Sequence, residues 1–258
     1  MVYIAYLITG LLAGVVGGLL GTGGCALIMP VIRFGFDFDP AFAVGTTLTA
    51  VVFTAGSGAY QHLKMKNVDK TTALQVGLSG VLGVIIGSVV FGYIKGYGDV
   101  IDLIIGIAFI IVSLRMLYEG LLGKAPPPPV GVEMPGTAVS KSLLGSCIGF
   151  LTGIIGLGGG YALVPPFLPV LRAPMRLAFG TSMASFVWMA LVGAIFKIYQ
   201  GVVNLPVAIT LGVGAVIGAI YGAKLVARFK PNALKALFGF LFLYVSLKYI
   251  LLYFGIHI

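Results

Sequence analysis

The chain has 258 residues, of which 59% are hydrophobic and 9% charged, against roughly 25% charged in soluble domains. Its 16 Lys and Arg with 7 Asp and Glu cannot cover a water-exposed surface of this size, so a soluble enzyme or binding module is excluded and an integral membrane protein remains. The net charge of +9 does not indicate nucleic acid, because the cations stand at the ends of apolar runs and form no basic stripe interleaved with aromatics. Loops facing the cytoplasm and anionic lipid account for them.

Glycine, at 39 residues, is about twice its ordinary share of roughly 7%, which suits closely packed or interrupted membrane helices rather than a β-barrel. The expected fold is all-α. From the N-terminus, the first apolar run covers residues 3–35 and is broken at Gly21, Thr22, Gly23 and Gly24. No Lys or Arg precedes Arg33 and no small-residue cleavage pattern follows a short apolar core, so the start reads as a retained membrane helix rather than a signal peptide. Runs at 42–62, 71–94 and 100–122 each match the roughly 20 residues that cross hydrocarbon. Residues 123–140 contain four consecutive prolines, Pro126 to Pro129, and read as an extended linker. The second half repeats the pattern: 142–171 is broken at Gly156, Leu157, Gly158, Gly159 and Gly160, and runs follow at 176–200, 206–227 and 233–254. The organisation expected is a first transmembrane repeat over 1–122, the proline-rich linker over 123–140 and a second repeat over 141–258, with eight to ten helical segments in all.

A slide of 135 residues without a gap aligns 14–90 with 149–225 and makes 20 of the 77 positions identical, ten of them glycine. Landmarks keep their order: Gly21, Gly23, Gly24 and Pro30 fall on Gly156, Gly158, Gly159 and Pro165, and Ala43, Gly45 and Thr46 fall on Ala178, Gly180 and Thr181. This indicates a duplication. If each half makes an odd number of crossings, twelve cations collect on one face (Lys64, Lys66, Lys70, Arg115, Lys124, Lys141, Arg172, Arg176, Lys224, Arg228, Lys230, Lys235) and four on the other (Arg33, Lys95, Lys197, Lys248). An even number splits them eight and eight, so the cation bias favours the odd count. The second half is then inverted relative to the first, both termini lie outside, and the linker lies in the cytoplasm. Inverted repeats are typical of secondary transporters, whose substrate sits near mid-bilayer where broken helices meet.

Each half is thus expected to be a glycine-broken hairpin plus three transmembrane helices. Glycines allow left-handed backbone and bring no side chain between main chain and ligand, and half-helices starting near Cys25 and Tyr161 present N–H groups at a positive dipole end. An anion is the natural guest of such breaks. The competing reading is that the glycines only permit tight helix crossing. The candidate substrate-binding residues are Gly21, Thr22, Gly23, Gly24, Cys25, Gly156, Gly158, Gly159, Gly160 and Tyr161, joined by the hydroxyls of Thr46, Thr47, Thr181 and Ser182, about two turns into helices that start near Asp39-Pro40 and Ala173-Pro174. Thr46 with Thr49, and Ser182 with Ser185, share a helix face at i, i+3; bonding to their own i−4 carbonyls is the alternative.

The remaining chemistry is sparse. Cys25 and Cys147 lie in apolar segments with no Cys or His nearby and read as small buried thiols. All seven acids sit in loops or near segment ends, so no buried carboxylate relay for Na⁺ or H⁺ is visible. His62 and Lys197 occupy equivalent repeat positions near helix ends; either could attract the anion, but interfacial snorkelling is the simpler reading. Trp188, Tyr199, Tyr249 and Tyr253 read as interfacial or packing residues. No metal-ligand cluster and no H-E-x-x-H motif is present, so an enzyme is not expected, nor a cofactor or a metal.

The paired G-x-G-G cluster, the proline five or six residues on and the A-x-G-T-[TS] motif that follows, occurring twice over nearly the whole chain outside the linker, resemble the TauE/SafE sulfite exporter family. The resemblance implies transport of a small sulfur-containing anion, such as sulfite or an organosulfonate like sulfoacetate, across the cytoplasmic membrane of a prokaryote. The family's glycine motif falls on Gly21 to Cys25 and Gly156 to Gly160, with Thr22 and Cys25 standing opposite Leu157 and Gly160. The function expected is a secondary transporter, exporting by alternating access at a mid-membrane site; an anion channel using the same dipoles is the alternative. The partners expected are a small anion and the lipid bilayer but no nucleic acid, and the sequence is compatible with a homodimer.

Overall fold

The computed structural model describes residues 2–20, 23–122, 134–156, 162–164, 167, 171, 173, 175–225 and 231–254. Every regular element among them is helical. Helix α1 (Val2–Leu20) is followed by the short α2 (Cys25–Pro30), which widens into a π turn over Val31–Gly35. Then come α3 (Pro40–Lys64), α4 (Lys70–Ile94), α5 (Gly98–Leu121), α6 (Ala138–Ile155), α7 (Met175–Tyr199), α8 (Leu205–Leu225) and α9 (Pro231–Tyr253). Among the described residues eight helices are long and apolar enough to cross a membrane. They match the apolar runs read from sequence to within a few residues, and the all-α membrane class is borne out.

Local chemistry sets the ends. The Asp39 carboxylate accepts the Ala41 N–H at 2.9 Å with Pro40 in the first turn of α3, and Thr137 accepts the Ser140 N–H at 3.2 Å at the start of α6. Helix α6 stops at Gly156, whose φ of 64° is left-handed. After α1, Gly23 and Gly24 are both left-handed, with φ of 70° and 79°, and they reverse the chain. The returning arm runs back along α1: Gly24 lies against the Ala13 backbone, and the Phe36 ring meets Tyr6 at 4.5 Å between centroids. Thus α1, about 28 Å long, and the shorter arm form one broken hairpin that ends near the level where it began.

Glycines set the helix pairing. Gly10 faces the Leu211 backbone and Gly14 faces Ala215, while from α8 Gly218 faces Leu11 and Gly222 faces Val15. A Cβ at any of these would overlap a backbone oxygen, so only glycine permits the approach. A second ladder between the halves repeats the first at an offset of 135 residues: Gly145 faces Val76, Gly149 faces Gly80, Gly83 faces Ser146 and Gly87 faces Phe150. Further contacts recur at the same offset. Gly45 meets Val202 and Gly180 meets Asn67; Phe53 packs on Gly212 and Trp188 on Gly77.

These registers also give directions. Residue numbers rise together along α1 with α8, along α4 with α6 and along α4 with α7, so those pairs are parallel. They run oppositely between α3 and α7, where Gly58 meets Met183 and Gly193 meets Leu48, and between α5 and α9, where Gly106 meets Ile250 and Gly239 meets Leu117. Helix α8 runs with α3, since Asn204 bonds Thr46 and Gly212 meets Phe53. Gly98 at the start of α5 lies against Pro40 at the start of α3, so α1, α3, α5 and α8 point one way, and α4, α6, α7 and α9 the other.

The end of the bundle where α4 starts is pinned by Asp69. Its carboxylate accepts the Thr72 N–H at 3.1 Å, the Thr72 hydroxyl at 2.6 Å and the Met134 N–H at 2.9 Å, and Lys141 Nζ donates to the Met134 carbonyl at 2.9 Å. Burial pushes the Asp69 carboxyl up, but the bonds from Thr72 and Met134 and the Lys141 charge outweigh it and hold the group below the ordinary carboxylate value. A depressed carboxylate stabilises fully above its unfolded pKa near ~4 and loses that contribution as pH falls through the folded value. Asp69→Asn is therefore expected to cost about 1–3 kcal/mol at neutral pH, read as a lower melting temperature in detergent, with wild type approaching the variant only in acid below pH ~4.

Candidate substrate site

At the first break, Gly24 precedes α2 and its carbonyl accepts the N–H groups of both Leu27 and Ile28 at 3.1 Å, so a half-helix does begin at Cys25, which is buried. Gly23 faces the Phe186 ring of α7. At the second break Gly156 lies against the Val44 backbone of α3. Gly21, Thr22, Gly158, Gly159, Gly160 and Tyr161 lie outside the described residues.

Each described break therefore meets a helix of the opposite half. On α3, Val44, Thr47, Val51 and Thr54 follow one another at helical spacing and form the stripe that starts at Gly156. The matching stripe on α7 is Phe179, Ser182, Phe186 and Met189. The two differ in chemistry. Thr47 and Thr54 are buried, and among the described residues their hydroxyls have no hydrogen-bond partner. Ser182 Oγ donates to the Phe179 carbonyl at 2.8 Å within a stripe that is otherwise apolar. Thr49 and Ser185 are occupied in the same local way, donating to Gly45 at 2.9 Å and Thr181 at 2.8 Å, as their alternative reading anticipated. Thr54 was missed in the sequence; its spacing of seven from Thr47 was the available signal.

Thr46 and Thr181 are not brought together. Thr46 Oγ1 accepts the Asn204 N–H at 3.0 Å, and Thr181 Oγ1 accepts the Asp69 N–H at 3.0 Å. Because α3 and α7 are antiparallel, these twin latches lie about 20 Å apart along the bundle axis, one near each end. Thr181→Val leaves the buried Asp69 N–H unbonded, with an expected cost of about 1–3 kcal/mol in thermal unfolding, and Thr46→Val behaves alike at the other end.

Two expectations need correction. His62 and Lys197 do not snorkel: their relative exposures are 1% and 0%. Lys197 Nζ donates to the Gly153 carbonyl at 2.7 Å and lies over the Phe91 ring, 3.1 Å from its centroid. Cys147 is exposed on the outer face of α6 rather than buried. Two of the acids are buried, Asp69 and Asp102. Asp102 lies at the start of α5 and is paired with Arg33 at 2.7 Å, while Arg33 also donates to the Phe38 carbonyl at 3.1 Å; the π turn carries the arginine there. Tyr249 is fully buried against Phe34 and Phe109, a packing role, whereas Trp188 and Tyr199 are exposed. Among the described residues no group of three His, Cys, Asp or Glu could hold a metal.

Eight apolar spans, a glycine-reversed hairpin and internal two-fold contacts define a multi-pass membrane protein. The family model for "Sulfite exporter TauE/SafE" matches residues 6–249, and the chain belongs to that family. It is 28% identical over 244 residues to probable membrane transporter protein YunE of Bacillus subtilis, covering 87% of this chain and 89% of the relative. A probable membrane transporter protein of Methanocaldococcus jannaschii is 25% identical over 252 residues, covering 89% and 88%. One of Xylella fastidiosa is 28% identical over 246 residues, covering 93% and 91%. No solved structure matches the chain significantly.

Proposed function

We propose that the protein is a secondary transporter that exports a small sulfur-containing anion, sulfite or an organosulfonate such as sulfoacetate, across the cytoplasmic membrane by alternating access. The observation that carries this reading is the exchange of the two halves: contacts recur at an offset of 135 while the corresponding helices point in opposite directions. Inverted repeats account for such an exchange, and in them each half can open a shared site to its own side. The face with twelve cations is then cytoplasmic, and both described ends of the chain lie on the other.

The anion is held near mid-membrane at the two glycine breaks. Main-chain amides at Gly23, Gly24 and Cys25 and at Gly156, Gly158, Gly159, Gly160 and Tyr161 bind it, and the unspent hydroxyls of Thr47 and Thr54 donate from α3. Thr46 and Thr181 act as end latches whose loops move as the halves rock. Departure of a monovalent anion from a cell held at about 100 mV, inside negative, yields roughly 2.3 kcal/mol, so the membrane potential alone can drive export. Purified protein in liposomes should move radiolabelled sulfite or a sulfonate saturably; folded protein that moves no member of a panel of such anions contradicts the proposal.

A further inference from the structure

Lys197 is a lysine near the end of an apolar span with no carboxylate among the described residues to neutralise it. Of its three donors, one reaches the Gly153 carbonyl, and the Phe91 ring lies beneath the ammonium. The three helices that meet here also carry buried oxygen atoms without partners among the described residues: Thr152 Oγ1 next in sequence to Gly153, Ser88 Oγ one turn before Phe91, and Gln200 Oε1 one turn after Lys197. Gly153 is three residues from Gly156, where α6 ends against Val44 and the Thr47 stripe begins. An unpaired cation kept from both water and lipid is costly, and a negative ligand beside it removes that cost. The equivalent position in the first half is His62, whose two ring nitrogens also have no partner among the described residues. The primary amine is thus placed in the second half, with an imidazole at its equivalent in the first.

We propose that Lys197 supplies the counter-charge of the transported anion, its ammonium being parked on the Gly153 carbonyl and presenting its remaining N–H groups to a small anion at the end of α6, beside Gly156. This rests on the reading of the chain as an anion transporter. The anion then binds asymmetrically, nearer Gly156 and Thr47 than Gly23 and Phe186. A single ammonium with hydroxyl donors suits a singly charged oxyanion, bisulfite or a monosulfonate, over a dianion such as sulfate.

The test compares wild type, K197R, K197Q and K197M in liposomes, reading KM and Vmax for radiolabelled sulfite together with the melting-temperature shift that sulfite produces. K197Q and K197M should raise KM by about tenfold or more and lose most of the sulfite-induced shift, whereas K197R should stay within about threefold of wild type. Should K197M fail to fold, K197Q decides, since its amide still donates a hydrogen bond but carries no charge. A folded K197Q with the wild-type KM and shift overturns the proposal and leaves Lys197 as a clamp on the carbonyl end of α6. Wild type without flux or shift for any anion of the panel instead overturns the transporter reading, and this proposal with it.

Discussion

Gly24→Val should abolish anion flux in liposomes while the chain still inserts into the membrane. Two independent effects act at this residue. Its φ of 79° costs a non-glycine residue roughly 1–2 kcal/mol, more for a β-branched one. A Cβ there would also stand 2.6 Å from the Ala13 carbonyl oxygen, so the returning arm must move off α1. Both act on the turn of the first hairpin, where the amides that would hold the anion are presented, and the helix contacts made elsewhere in the bundle are untouched. Gly24→Ala separates the two effects in degree: it keeps the clash but reduces the backbone strain, and flux should fall less than completely. Measured flux per correctly inserted molecule checks this; a wild-type rate in Gly24→Val removes the first break from the site.

Gly149→Leu should be worse for the fold than any substitution at a break. Its Cβ would overlap the Gly80 carbonyl oxygen, and neither backbone can yield without parting α6 from α4 along the whole ladder. Overpacking a well-filled contact costs about 1–3 kcal/mol where side chains can adjust, and here only backbone is met, so a loss of at least about 3 kcal/mol is expected. Gly14→Leu, its counterpart against Ala215, should lose a similar amount, because the same contact is made twice. Gly56 is the control: nothing lies within 4 Å of its Cβ position, and Gly56→Ala should be neutral or stabilise by up to about 1 kcal/mol through helix propensity. Melting temperatures in detergent and the yield of monodisperse protein report all three.

The fold was largely readable because lipid leaves few choices. Runs of about 20 apolar residues become helices, and the slide of 135 that aligned Gly45 with Gly180 and Thr46 with Thr181 reappears as matched contacts in space. Glycine plays two structural parts in this chain, at different positions. Gly10, Gly14, Gly145 and Gly149 serve close crossing, whereas Gly23, Gly24 and Gly156 take left-handed backbone. Composition cannot separate these roles, since both demand the same absent Cβ.

The site was less legible, for a geometric reason. Equivalence in a repeat places two residues on symmetric sites, not on the same one. Thr46 and Thr181 therefore end far apart, each taking the N–H of the loop before α8 or α4. Proximity to a helix end likewise suggested that Lys197 and His62 reach water, but depth in a bundle depends on which face a residue occupies, and both face inward. The Arg33–Asp102 pair depended on the π turn that swings the arginine towards α5, a backbone detail that apolar periodicity does not encode.

Counterflow in liposomes tests the carrier reading most directly. Vesicles loaded with unlabelled sulfite and diluted into a trace of labelled sulfite, with the membrane potential clamped at zero, should accumulate label transiently above its external concentration, and empty vesicles should not. Label that merely equilibrates at a rate indifferent to the trapped anion would make the protein a channel and contradict alternating access at the paired glycine breaks.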